Sequence, residues 1–86
     1  MEEIKFGYLM KIFTEYDDKL NIDKNARKLN VSYSWLYKAL KEIEDKDLLI
    51  TEKVGRQTRV KFTSKGEKVR RYFEEIRRIL YDSNLS

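Results

Sequence analysis

The sequence predicts an α+β fold, mainly helical: three helices, a β-hairpin and a fourth helix. Apolar residues recur at helical spacing through the first half of the chain. The period switches to two between Leu48 and Phe62, and helical spacing returns after Ser64. At 86 residues the chain has room for one domain, 1–86, around one modest core.

Residues 4–20 read as the first helix, with Leu9, Ile12, Phe13, Tyr16 and Leu20 on one face. Asp17, Asp18 and Asn21 weaken its end. Ile22 stands alone and leaves room for a one- or two-residue strand pairing. Asp23 is the expected N-cap of a short second helix through Leu29, with Ala26 and Leu29 facing inward. Asn30 follows, a residue that tolerates the left-handed conformation at a helix end.

Ser32 is the expected N-cap of the third helix. Leu36, Leu40 and Ile43 repeat at i, i+4 and i+7, with Ala39 beside them. Ser34, Lys38 and Lys41 fall on the opposite side, flanked by Tyr37 and Trp35. This helix should end near Asp45 to Asp47. Ile50, Glu52 and Val54 then alternate with Thr51 and Lys53. After Gly55-Arg56-Gln57, Thr58, Val60 and Phe62 alternate with Arg59 and Lys61, as expected of a hairpin with a glycine-bearing tip. Ser64-Lys65-Gly66-Glu67 has capping-box spacing. The last helix, about 64–81, carries Val69, Tyr72, Phe73, Ile76, Ile79 and Leu80 on a broad stripe, and Asp82 to Ser86 reads as a frayed end.

Composition excludes several function classes. With no Cys there is no disulfide framework and no thiolate site; with no His, the commonest general base and metal ligand are both missing. No phosphate-cradling glycine loop or metal-ligand cluster is present, so neither catalysis nor a cofactor is expected. The lack of His and Cys also argues against a metal sensor. No window approaches the ~18 apolar residues of a membrane span, and the acidic start has no apolar signal core. A soluble, cytoplasmic protein is expected.

The net charge of +4 is small, but its placement is uneven. Residues 24–41 contain no acid and hold Lys24, Arg27, Lys28, Lys38 and Lys41. Residues 53–61 contain none either and hold Lys53, Arg56, Arg59 and Lys61. The acids between cluster at Glu42, Glu44, Asp45 and Asp47. A merely solubilising surface would mix the signs.

The order helix, helix, helix, hairpin, helix is that of a winged helix-turn-helix. Two segments carry a closer resemblance: Ala26 through Ile43 (ARKLNVSYSWLYKALKEI) followed by Leu48-Leu49-Ile50, and Phe62-Thr63-Ser64-Lys65-Gly66. Together they resemble MarR-type and related winged-helix repressors over roughly residues 5–70. In those families a Val-Ser turn joins helices two and three, and Thr-x-Lys-Gly leaves the wing. Asn30 and Asp47 stand where the family often has glycine, because the backbone there tends to positive φ; Asn and Asp are the next most tolerant residues.

The resemblance implies that helix three lies in the major groove of double-stranded DNA, with Ser32, Tyr33, Ser34, Tyr37, Lys38 and Lys41 toward it. The lysines have donors for phosphate or guanine, Ser34 discriminates bases weakly, and the tyrosines can bond phosphate or cover a thymine methyl. Trp35 fits either the core edge or the DNA backbone. Arg56 at the hairpin tip, with Arg59 and Lys53 behind it, suits a minor groove or phosphates, and equally protects an exposed strand edge. Lys24, Arg27 and Lys28 would meet phosphates, or form a solvated face. The surplus of the last stripe (Val69, Tyr72, Phe73, Ile76, Ile79, Leu80) suggests a homodimer. The function expected is sequence-specific DNA binding by a transcriptional regulator, of unknown effector. A winged helix serving only protein–protein interaction is the alternative, and RNA binding ranks third.

Overall fold

A computed structural model describes residues 3–81. Its elements are α1 (Phe6–Glu15), α2 (Ile22–Leu29), α3 (Tyr33–Glu44), β1 (Leu49–Val54), β2 (Gln57–Phe62) and α4 (Ser64–Tyr81). The expected frayed end, 82–86, lies outside the described residues. No helix among the described residues is long and apolar enough to cross a membrane.

The first helix is shorter than its periodicity suggests. It stops at Glu15; Tyr16 turns extended (φ −65°, ψ 128°) and still buries its ring. The cause lies in α2. Asn25 is fully buried, and its side-chain amide accepts from the Asp17 N–H (2.8 Å). It also donates to the carbonyls of Asp17 (2.8 Å), Leu20 (3.2 Å) and Asn21 (3.0 Å). The loop after α1 thus finds in one side chain the partners a continued helix would have supplied internally.

The second helix also starts earlier than expected. Asn21, not Asp23, is the N-cap, accepting from the Lys24 N–H at 2.8 Å. Ile22 is therefore the first helical residue, not a strand, and it is buried. Asp23 moves into the first turn, where its charge suits the positive end of the helix dipole. Asn30 closes α2 in the left-handed region (φ 59°). Ser32 caps α3 as the sequence suggests, accepting from the Trp35 N–H at 3.1 Å.

The core gathers Ile12, Phe13 and Tyr16 after α1's first turn, Ile22, Ala26 and Leu29 of α2, and Leu36, Ala39, Leu40 and Ile43 of α3. Leu49, Val60 and Phe62 of the hairpin and Phe73 of α4 complete it. Leu9, Val31, Trp35, Leu48 and Val69 pack on its margin. Trp35 packs at that margin against Tyr8, ring centroids 5.1 Å apart, so of its two expected places it occupies the core edge.

The two strands pair antiparallel from Leu49↔Phe62 to Val54↔Gln57. Leu49, Thr51, Val60 and Phe62 share the inner face; Ile50, Glu52, Val54, Arg59 and Lys61 share the outer. Gly55 alone in the two-residue turn has positive φ (64°), the sign pattern of a type II′ hairpin. Asp47, at φ 60°, turns the chain from α3 into β1.

The cap of α4 is Thr63, one residue before the expected Ser64. Its hydroxyl accepts from the Gly66 N–H (3.1 Å) and donates to the Asp47 carbonyl (2.6 Å). Gly66 is fixed by close approach: a Cβ there would fall 1.7 Å from the Leu48 carbonyl oxygen. Phe73 is buried in the chain's own core and stacks on Phe13, so it is removed from the expected dimerisation set; Val69 packs beside it. Beyond Phe73 every described residue of α4 is exposed.

Candidate nucleic-acid interface

α3 buries Leu36, Ala39, Leu40 and Ile43, and this fixes which side chains face out. Ser32, Tyr33, Ser34, Tyr37, Lys38 and Lys41 are all exposed. Tyr33 and Tyr37, one turn apart, lie nearly parallel, with ring centroids 6.2 Å apart and planes 16° apart. Lys41 continues the column, its ammonium 5.6 Å from the centre of the Tyr37 ring.

Lys41 is not a free charge. Its Nζ lies 3.2 Å from Glu44 Oε1 and 3.1 Å from Thr51 Oγ1. Glu44 also accepts from the Thr51 backbone N–H at 2.7 Å. That N–H bond does most to hold the Glu44 carboxyl below its usual range, with Lys41 helping and burial opposing. The hydrogen bond to Glu44 likewise raises the Lys41 pKa. Glu44 therefore ties the end of α3 to β1. It was unread in the sequence, where it passed for one of an acidic cluster.

The wing tip and the start of α3 border one depression. Arg56, Gln57 and Thr58 line a depression of about 140 Å³ together with Tyr33 of α3 and Asn21, Ile22 and Asp23 at the start of α2. Lys53 shares its strand face with Thr51, the residue bonded to Lys41 and Glu44, so it lies on the α3 side of the hairpin. Of the expected site residues, Tyr33 of α3 and Arg56 of the tip thus come together at one depression.

Two expected bases are occupied elsewhere. Arg59 donates through Nη1 to the Lys19 carbonyl (2.7 Å) and through Nη2 to Gln57 Oε1 (3.1 Å). It braces β2 against the loop between α1 and α2. Arg27 pairs with Asp23 at 3.1 Å on the exposed side of α2, a pair screened by water. Among the described residues, Lys24, Lys28, Lys38, Lys53 and Arg56 are exposed and make no salt bridge. No group of three His, Cys, Asp or Glu side chains suited to a metal ion occurs among those residues.

The fold recurs in solved structures. AF1382 from Archaeoglobus fulgidus superposes with a TM-score of 0.80 at 21% identity, over 93% of this chain and 94% of that one. The zinc-dependent MarR family transcriptional regulator AdcR, in its Zn(II)-bound state, superposes with a TM-score of 0.59 at 21% identity, over 87% of this chain. The fold is a MarR-like winged helix. In its terms α3 is the third helix and the β1–β2 hairpin the wing. The winged helix described here spans about half of AdcR, 54% of its length. No protein-family model matches the sequence, and no curated protein matches it.

Proposed function

We propose that this winged helix binds double-stranded DNA sequence-specifically, as a transcriptional regulator. α3 enters the major groove while Arg56 and Lys53 of the wing meet the backbone or the minor groove. The observation that carries this is the junction of Tyr33 and Arg56 at one depression, which puts recognition helix and wing tip at the same edge. Lys24, Lys28, Lys38 and Lys53 are exposed, and none is in a salt bridge among the described residues. Lys24 and Lys28 would set position on the phosphates, with Arg27 contributing once released from Asp23. Ser32, Ser34 and Lys38 are left to meet base edges or phosphates, and Lys41 stays beside Glu44. Arg59 serves this function indirectly, by holding the wing.

The active species is a homodimer joined through α4. Tyr72, Ile79 and Leu80 are about 60% exposed, and Ile76 stands with them on the same side of the helix. Such a stripe of large apolar side chains on a projecting helix is covered most simply by its own symmetry mate. Two recognition helices would then meet successive turns of a roughly palindromic site.

The test is a gel-shift titration on duplex DNA at several salt concentrations. If a dimer neutralises ~8 phosphates, the log–log slope of affinity against salt is roughly −7. Lys38→Ala should weaken binding by ~1–3 kcal/mol if the ammonium reads a base. Arg56→Ala should weaken it with less effect on sequence preference. A folded protein that fails to bind at low salt would refute the proposal.

A further inference from the structure

We infer that the Tyr33–Tyr37 stack is a specificity element that reads thymine through its C5 methyl group. The inference rests on the DNA-binding reading above and names what α3 selects within it.

The exposed face of α3 is poor in the usual instruments of base readout. Its twelve residues, Tyr33–Glu44, include no Arg, Asn or Gln. The two-pronged contacts by which Asn or Gln picks adenine and Arg picks guanine are therefore not available from this helix, and of its two lysines only Lys38, in no salt bridge among the described residues, is left to reach guanine. Lys41, the most obvious remaining donor, is spent on Glu44 and Thr51. Ser32 and Ser34 offer single-point contacts that several bases accept equally, and Lys38 serves a guanine or a phosphate. What the helix does present is apolar surface. Tyr33 is 47% and Tyr37 37% exposed, and their rings lie parallel within one turn. Their mutual packing, with Lys41 over Tyr37, holds the rings in place without hiding them.

Among the base edges of the major groove, the C5 methyl of thymine is the apolar group. A tyrosine ring laid against it removes both from water, and the hydroxyl at the ring's far end remains free for a phosphate. Cytosine, lacking the methyl, gains nothing from the same ring. The 6.2 Å between ring centres is close to two base-pair steps, roughly 7 Å, so the two methyls should fall within about three successive base pairs.

The experiment begins with a duplex selected by the protein from a random pool. That duplex is resynthesised with deoxyuridine in place of thymidine in each half-site, which removes methyls while keeping every phosphate and base pair. Wild-type affinity should fall about fourfold for each methyl lost from beneath a ring. Tyr33→Ser and Tyr37→Ser, exposed changes whose folding is checked by circular dichroism, should each bind the two duplexes more nearly alike, and the double variant should not distinguish them. Tight, salt-sensitive binding that is equal for both duplexes overturns the methyl reading and leaves DNA binding standing. Discrimination that survives the double variant overturns the assignment to these tyrosines. Failure to bind any duplex overturns both readings.

Discussion

Tyr16 brings a hydroxyl into the core and gives it nothing to bond. Its ring is buried against Phe62, and the hydroxyl has no hydrogen-bond partner. Burial pushes its pKa up to about 12; the nearby Asn25 amide opposes the rise, but its nitrogen is already spent on three carbonyls. The ionised form is thus disfavoured in the folded chain relative to the unfolded one, whose tyrosine titrates near 10. Stability should therefore hold below pH 10 and fall between pH 10 and about 12, as the unfolded chain releases a proton the folded chain keeps. Tyr16→Phe should remove this component of the alkaline loss. At neutral pH it should stabilise by up to about 1 kcal/mol, since an unmatched buried polar group disappears. Thermal melts of both proteins between pH 7 and 11.5 check this; a large destabilisation of the variant at neutral pH would show that the hydroxyl does have a partner.

Single residues also show where the sequence was readable. Ser32 and Gly55 were, because a cap bonds three residues ahead and a tight turn needs its positive φ locally. Asn25 was not read, although it is three residues from Ile22 and four from Leu29 and so lies on α2's apolar side. A polar residue on such a face is itself the signal that something must be satisfied there. Thr63 was missed because Ser64 offers equivalent chemistry one position later, and only the Asp47 carbonyl, sixteen residues away, decides between them.

Among elements, the joint between α3 and the wing matters most. Its centre is Glu44, accepting from the Thr51 N–H and from Lys41. Because the carboxyl is held below its ordinary value of 4.5, its stabilising contribution is complete above that pH and is lost as pH falls through the lowered value. Glu44→Gln should lower the melting temperature at pH 7, and the gap from wild type should close as the pH is lowered through the depressed carboxyl pKa. A gap that stays constant with pH would mean the charge is not what holds β1. The variant should also free Lys41. The periodicity of α3 and the alternation of the hairpin were both legible because each is a repeat within one element. The end of α1, the tie at Glu44 and the diversion of Arg59 to Lys19 were not, because each joins residues from different elements.

At the scale of the molecule, the protein is elongated, 47 Å against 27 and 26 Å. An 18-residue helix is about 27 Å long, and only Gly66 and Phe73 of it are buried. The apolar stripe read from the sequence therefore divides. Phe73 and Val69 face the chain's own core, while Tyr72, Ile76, Ile79 and Leu80 do not. Periodicity located the stripe but could not apportion it, since residues 72 and 73 differ by only 100° around the helix. If the exposed part joins two copies, Ile79→Glu should convert a micromolar dimer into a folded monomer in sedimentation and weaken binding to a palindromic duplex. A wild-type chain that sediments as a monomer, alone and on DNA, would remove the dimer.

The wing is anchored near its root on both strands, by Thr51 to Glu44 and by Arg59 to Lys19. Past these anchors remain two rungs, Lys53↔Thr58 and Val54↔Gln57, and the Gly55-Arg56 turn. It is a short overhang, about 7 Å of ribbon past the anchors. So brief an overhang bends through small arcs only. If the protein binds DNA as proposed, the arginine at its end should follow a groove a little wider or narrower than ideal, but not a duplex shifted bodily along the protein.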